Sequence, residues 1–357
     1  MVTVLYYTAW NPCYLYTAHE GSWKSLPMTA HKSRRYWQQI KIEYLNEFVF
    51  TDGKNSWDNP RPGENYQYEG GDNVAVYRGK LIKVEESEPI MLISDLDNTL
   101  VGSHQDTKDA HRRFNEYWIQ KHYFGSSILV YNTGRSLEEY LELFTQGHKL
   151  LDPDMLITAV GSDAYTLNIH TGAYLNHIDL HREYDGEFWS SEIIAQIVKN
   201  HFPWMVLPQK RYIYPFKIWV TARAEDVERH RHELKIFLKN VDAELRDSKV
   251  IHARAIISGF ADWRYIDITP RVGGKRVGVR YAQKYFKVKP TRTIVAGDSG
   301  NDIEMFRDPE NFGVVVNNAD QEMSQWFGKK KRANKIKSEQ MWGDGVVEIV
   351  EKIFYSS

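Results

Sequence analysis

Cysteine is nearly absent: Cys13 is the only one in 357 residues. That excludes an internal disulfide framework and a zinc cluster built on thiolates. An excess of either charge is also missing, with 46 Lys and Arg against 47 Asp and Glu and a formal net charge of -1. Such a balance supplies no global field to draw a polyanion, so neither nucleic acid nor an anionic membrane is expected as a main partner. Apolar runs such as Ile90–Ile93 are far too short to cross a bilayer. The first twenty residues show neither a basic stretch followed by an apolar one nor an Arg- and Ser-rich transit pattern, so the chain reads as soluble with no targeting segment. No repeat of fixed period occurs. The basic run Lys329-Lys330-Lys331-Arg332 reads as a solvated surface patch.

What is present is a folded-protein composition, 42% hydrophobic and 26% charged, in a chain longer than one ordinary core usually fills. At least two domains are expected. The 11 Trp, 22 Tyr and 15 Phe are unevenly spread, and the first 88 residues are the richer part. There, short β-branched and aromatic runs (Val2–Tyr7, Ile40–Tyr44, Glu47–Phe50, Val74–Tyr77, Lys80–Val84) alternate with Gly, Pro, Asn and Asp clusters, which predicts an all-β sandwich over residues 1–85. Residues 86–89 close an acidic stretch with Pro89 and read as a linker. From Ile90 onward, apolar strand-like runs alternate with charged amphipathic segments, the pattern of an α/β Rossmann-like core.

The strongest chemical signal is Ile90–Val101, where an apolar run leads directly into Asp95-x-Asp97-x-Thr99. Carboxylates two apart at a strand end lie on one side of the pleat, at the carboxyl edge of a parallel sheet. Such a pair can hold a cation and divide labour, one attacking as nucleophile and the other moving a proton. Alone it is a weak signal, since turns and helix caps use the same residues. Three further clusters strengthen it. Asn132-Thr133-Gly134-Arg135-Ser136 follows an apolar run and can cradle a phosphate with a hydroxyl and backbone N–H groups. Gly273-Gly274-Lys275 opens an amphipathic helix and offers a cation. Gly297-Asp298-Ser299-Gly300-Asn301-Asp302 is an acidic loop suited to a hard, oxygen-ligated ion such as magnesium.

This set, in this order, resembles the four motifs of the haloacid-dehalogenase superfamily of phosphatases. Within it, residues 90–330 resemble sucrose-phosphate phosphatase, on the strings ISDLDNTLV, YNTGRSLEEY, DPDMLITAVGSDAY, YPFKIWV and VAGDSGNDIEMF. The resemblance implies Asp95 as the nucleophile that becomes an aspartyl-phosphate and Asp97 as general acid and then base. Thr133, Gly134, Lys275 and Asn301 would hold the phosphoryl group. Magnesium would be bound by Asp95, Asp298 and Asp302 with the main-chain carbonyl of Asp97. The substrate class is a sugar phosphate, sucrose 6-phosphate first. About 140 residues separate the second and third motifs, far more than a crossover needs. An α/β cap over 166–267, inserted into a core of 90–165 and 268–357, is the natural reading. Its strands are expected at Phe216–Thr221, Ile251–Ile257 and Arg264–Ile268, and its helices at Glu187–His201 and Glu225–Asn240, the last carrying Val227, His230, Leu234, Phe237 and Leu238 at helical spacing. Arg135, Tyr140, Asp163 and Lys217 are the candidate sugar contacts, while His230 reads as packed or capping.

The front end has its own resemblance. The order Tyr6-Tyr7-x-x-Trp10-Asn11, Gly21-Ser22-Trp23 and Phe50-x-Asp52-Gly53-x-x-x-Trp57-Asp58-Asn59 is similar to a family of small starch-binding β-sandwich modules. It implies an α-glucan platform of Tyr16, Trp23 and Trp57, helped by Asn55, Asp58 and Asn59, with Trp10, Phe48 and Phe50 in the core. Starch or another α-glucan would then be a partner, and the compartment a plastid or the cytoplasm. Phosphorylated glucan or maltooligosaccharide is the alternative substrate. A catalytically idle glucan-bound scaffold is the third reading, against which the intact Asp95 and Asp97 pair counts.

Overall fold

The computed structural model describes residues 1–355 apart from 20, 72, 103, 186–187, 208–212, 241–251, 260 and 330–331. Two compact units are present. The first holds Met1–Pro89 with Asn115–Ile128 and Leu167–Ala173, and the second holds the rest.

In the first unit, alternation of apolar and polar side chains builds two five-stranded sheets. One runs in the order Lys80–Val84, Asn73–Tyr77, Val2–Tyr7, Trp37–Ile42, Thr29–Ala30. The other runs Ser22–Pro27, Tyr14–His19, Glu47–Thr51, Trp57–Asp58, with Tyr66–Gln67 also paired to Glu47–Thr51. Val2, Val4, Tyr6, Val74 and Val76 of the first sheet share one buried cluster with Leu15, Phe48, Phe50 and Tyr66 of the second. Tyr6 stacks on Phe50 with ring centres 3.8 Å apart. Phe48 and Phe50 are fully buried, as expected, and Trp10 is half-buried against Tyr6. The expected linker is not a free tether: Glu85 N–H donates to the Gln120 carbonyl at 2.8 Å, and Ser87 Oγ donates to the Lys121 carbonyl.

In the second unit an eight-stranded sheet runs Tyr174–Asn176, Asp163–Leu167, Met155–Thr158, Ile128–Asn132, Met91–Ser94, Thr293–Gly297, Phe312–Val315, Lys335–Lys337. Its central strands are buried apolar runs paired in parallel, Met91 opposite Thr293 and Ile294 opposite Phe312. A separate four-stranded antiparallel sheet, in the order Ile213–Tyr214, Lys217–Arg223, Trp263–Pro270, Ala253–Ser258, lies with the helices Ser191–His201 and Ala224–Asn240 in the segment where the cap is expected. Ile194, Val198, Ile218, Val220, Val227, Leu234, Ile266 and Ile268 fill its core.

The cap boundaries expected at 166 and 267 move. The strands Asp163–Leu167 and Tyr174–Asn176 pair into the large sheet, and the strand that starts at Trp263 continues to Pro270 because its ladder with Ala253–Ser258 runs to the Ala253–Pro270 pair. The first cap helix begins at Ser191, capped by the Ser190 hydroxyl, which accepts from Ile193 N–H. Glu187 and Ile251, and the side chains of Phe237 and Leu238, lie outside the described residues, as does part of the basic run at 329–332. His230 stacks on Trp204 and sits 2.8 Å from Glu233, a packed helix-surface residue. No helix among the described residues is long and apolar enough to cross a membrane.

Candidate active site

The buried strand Met91–Ser94 ends at Asp95, whose N–H donates to the Ala296 carbonyl of the neighbouring strand at 2.9 Å. That pairing brings the Asp95 turn alongside the acidic loop that follows Gly297. A side chain at Gly297 would meet Asp302 at 2.5 Å, so the close fold of that loop requires glycine there. Asp302 turns inward and its Oδ2 accepts the N–H groups of Asp298 and Ser299, both at 3.0 Å.

Lys275, at the start of its helix and fully buried, links the two elements. Its Nζ lies 2.5 Å from Asp95 Oδ1 and 2.5 Å from Asp302 Oδ1. Asn132 holds the lysine's main chain, donating from Nδ2 to the Lys275 carbonyl at 2.8 Å. Asp298 accepts from Thr99 Oγ1 at 3.1 Å through Oδ1, while its Oδ2 is buried without a hydrogen-bond donor among the described residues. Burial raises the Asp95 carboxyl to about 7, and the Lys275 ammonium opposes that rise. Burial, and next the charges of Asp302 and Asp95, raise Asp298 well above the usual carboxylate range. Ligand oxygens of Asp95, Asp298 and Asp302 lie within 4.8 Å of one another. Three buried carboxylates around one ammonium, with an orphaned Asp298 oxygen, are the donor set a hard divalent cation fits.

Asp97, two residues on, is partly exposed and faces Arg135. The guanidinium meets it with two parallel bonds, 2.8 and 2.7 Å long. Thr133 is buried and its Oγ1 accepts from Arg135 N–H. Ser136 and Glu139 form a capping box that starts the helix Leu137–Thr145 and fixes the turn carrying Gly134 and Arg135. The Gly134 carbonyl accepts from Lys217 Nζ at 3.1 Å, and Lys217 is paired at 2.8 Å with Asp267, both almost fully buried.

Beside Lys275, Asp302 and Thr133, which lie outside its lining, is a cavity of about 390 Å³. Asp95, Asp97, Gly134, Arg135, Asp298 and Asn301 form its core wall; Tyr214, Lys217, Trp219, Ser258, Tyr265 and Asp267 come from the cap. At its edge Gly300 passes so close to the cap strand that an added Cβ would lie 2.0 Å from the Ile257 carbonyl.

Two expected sugar contacts are not in this cavity. Tyr140 is fully buried in the helix Leu137–Thr145 between Tyr131, Phe144 and Tyr174, where its apolar ring is core. Asp163 lies 3.1 Å from His181 and lines a smaller depression. Asp267, Trp219 and Tyr265 were not foreseen. The one carboxylate in the strand Trp263–Pro270, between Ile266 and Ile268, was the available signal for Asp267; Trp219 and Tyr265 stack on adjacent strands with centres 6.3 Å apart.

In the first unit, Tyr16, Trp23 and Trp57 come together. Tyr16 stacks on Trp23 at 5.1 Å and meets Trp57 edge-on at 5.3 Å, with Trp23 38% and Trp57 52% exposed. Asn55 is exposed beside them in sequence. Asp58 and Asn59 are engaged internally: Asp58 accepts from Tyr66 Oη, and Asn59 donates to the Glu64 carbonyl and to Asn65.

Residues 88–353 match the model of the sucrose-6F-phosphate phosphohydrolase family. The chain belongs to that family. It is 30% identical over 267 residues to probable sucrose-phosphatase 1 of Arabidopsis thaliana, covering 73% of this chain and 59% of that one. It is 31% identical over 251 residues to sucrose-phosphatase 2 of Nicotiana tabacum, covering 69% and 54%. The chain therefore spans little more than half the length of these plant relatives. The solved sucrose-phosphatase of Synechocystis sp. PCC6803, in complex with sucrose and phosphate, is 26% identical and superposes with a TM-score of 0.61 over 75% of this chain and 99% of that one.

Proposed function

We propose that the chain hydrolyses a sugar phosphate, sucrose 6-phosphate first, and that its N-terminal unit is a starch-binding β-sandwich. The observation that carries the first half is the buried Asp95–Lys275–Asp302 triad, whose Asp95 opens with the orphaned Asp298 and the partly exposed Asp97 onto a cavity lined across from them by Lys217, Ser258 and Asp267. The names of the relatives favour sucrose phosphate within that class.

Asp95 attacks phosphorus as the bond to the sugar oxygen breaks, leaving an aspartyl-phosphate. Asp97 gives its proton to the departing oxygen, then takes one from the water that hydrolyses the acyl phosphate. The Arg135 pair orients Asp97 through two parallel bonds, so the first step requires that pair to open. Lys275 carries positive charge to the reacting oxygens, and backbone groups of the Thr133–Gly134 turn position them. Asp95, Asp298 and the Asp97 carbonyl would hold magnesium, with Asp302 orienting the loop; the ion would supply charge neutralisation. Lys217, Asp267 and Trp219 face the space left for the sugar.

A second substrate, a phosphorylated glucan or maltooligosaccharide, is favoured by the exposed Tyr16–Trp23–Trp57 cluster, whose ring faces suit the C–H faces of glucose units. Phosphate release from a panel of sugar phosphates and from phosphorylated starch, with magnesium and with chelator, tests both. Sucrose 6-phosphate is expected to turn over fastest, only with magnesium, and not at all in Asp95→Asn. Preference for phosphorylated starch would favour the second substrate, and no release from any substrate would refute the hydrolase.

A further inference from the structure

A second cavity, of about 680 Å³, shares no lining residue with the first. His252 and Arg254 reach it from the cap, Arg271 from the end of the last cap strand, Arg276 and Arg280 from the helix Lys275–Phe286, and Glu304 and Arg307 from the segment after Asp302. Five guanidinium groups thus face one carboxylate in a chain whose overall charge is -1. That carboxylate is already committed: Glu304 Oε2 lies 3.0 Å from Arg254 and Oε1 2.7 Å from Arg307. Arg271, Arg276 and Arg280 have no ion-pair partner among the described residues.

A solvated basic face would keep its N–H groups in water. Arg271 and Arg280 are exposed and do so, but Nε of Arg276 and Nε of Arg254 are both buried with no acceptor among the described residues. Burial first, and then the charge of Arg280, push the Arg276 guanidinium below its ordinary range. Like charges crowded into a concave, partly desolvated site, with donors unsatisfied, are relieved by an anion that brings several acceptor oxygens. Guanidinium forks match the oxygen spacing of phosphate, and three uncompensated cations call for more than one negative charge.

We propose that this cavity is a second anion site that takes a small phosphate-bearing ligand, either free phosphate or a phosphate monoester. The ligand bridges Arg254 of the cap to Arg276 and Arg280 of the core. Its occupancy therefore favours whichever cap position brings those groups together. Arg276 adjoins Lys275 and Glu304 is two residues from Asp302, so the bridge acts on the elements that carry the catalytic cluster.

Thermal unfolding of the full chain tests this, with inorganic phosphate and glucose 6-phosphate added separately in chelator, which keeps magnesium from the active site. Potassium chloride at matched ionic strength is the control. Both anions are expected to raise the unfolding temperature beyond the chloride effect. In Arg276→Ala/Arg280→Ala the concentration needed for half the shift should rise at least about tenfold. Arg280→Glu, at an exposed position that the fold does not need, serves if the double variant is unstable. Weakening of either anion supports the site and tells which source it takes. An unchanged phosphate response in both variants, or no response of the parent beyond chloride, overturns it.

Discussion

Arg135 grips Asp97 edge-on, Nε to Oδ2 at 2.8 Å and Nη2 to Oδ1 at 2.7 Å, while Nη1 reaches the Glu139 carbonyl at 3.2 Å. The second anchor fixes the guanidinium plane, so Asp97 is oriented by the start of the helix Leu137–Thr145 rather than by its own loop alone. Lysine keeps the charge but loses the fork. In Arg135→Lys, phosphate release should fall about 10–100-fold, because proton transfer by a positioned group contributes about 10²–10⁴-fold. A parent-like rate would mean that the pair does not position Asp97 for proton transfer.

Lys275 neutralises two buried carboxylates at once. Lys275→Met leaves Asp95 and Asp302 uncompensated, and removing one partner of a buried pair costs about 3–5 kcal/mol. Denaturant unfolding should show a loss of that order together with loss of turnover. Parent-like stability would mean that the carboxylates take up protons without penalty.

The exposed rings of Trp23 and Trp57 offer a test of the glucan platform that leaves the catalytic cluster untouched. Trp23→Ala and Trp57→Ala should each weaken retention on an amylose gel by about tenfold or more, the scale of a central aromatic anchor. Turnover of a soluble sugar phosphate should stay unchanged, and Asp95→Asn should show the reverse pattern. Full retention by the double variant would remove the platform.

His122 is 1% exposed, and burial pushes its imidazole down from 6.5 to about 4. Between those values the unfolded chain binds a proton that the folded chain does not. The stability contribution is therefore complete above 6.5 and is lost as pH falls toward 4. Between pH 7 and 5 the loss is about 2 kcal/mol from this group. Unfolding of His122→Gln should show a correspondingly shallower fall over that interval, and identical slopes would contradict the assignment.

Residues 2–7, 47–51, 73–77 and 80–84 announced their strands as β-branched and aromatic runs bounded by turn residues, because their apolar side chains pack into the shared core. Ser22–Pro27 did not. It is an exposed edge strand with no buried face, held by its ladder to Tyr14–His19, and no periodicity marks such a strand. In the cap, Phe216, Arg264 and Ile268 located the right strands, while their ends were set by partners: pairing with Ala253 carries the last strand to Pro270.

Sequence alone determined the chemistry of the centre. Asp95, Asp97, Thr133, Lys275 and Asp298 belong to short motifs at strand ends and helix starts, where local backbone geometry dictates which side chains face the sheet edge. The tertiary structure decided the partners. Arg135 became the grip on Asp97, Asp302 the mate of Lys275, and Tyr140 core, while Asp267 and Trp219 entered the cavity from a cap whose packing alone brings them there. Such pairings depend on how separate elements meet in space, and no local spacing records that.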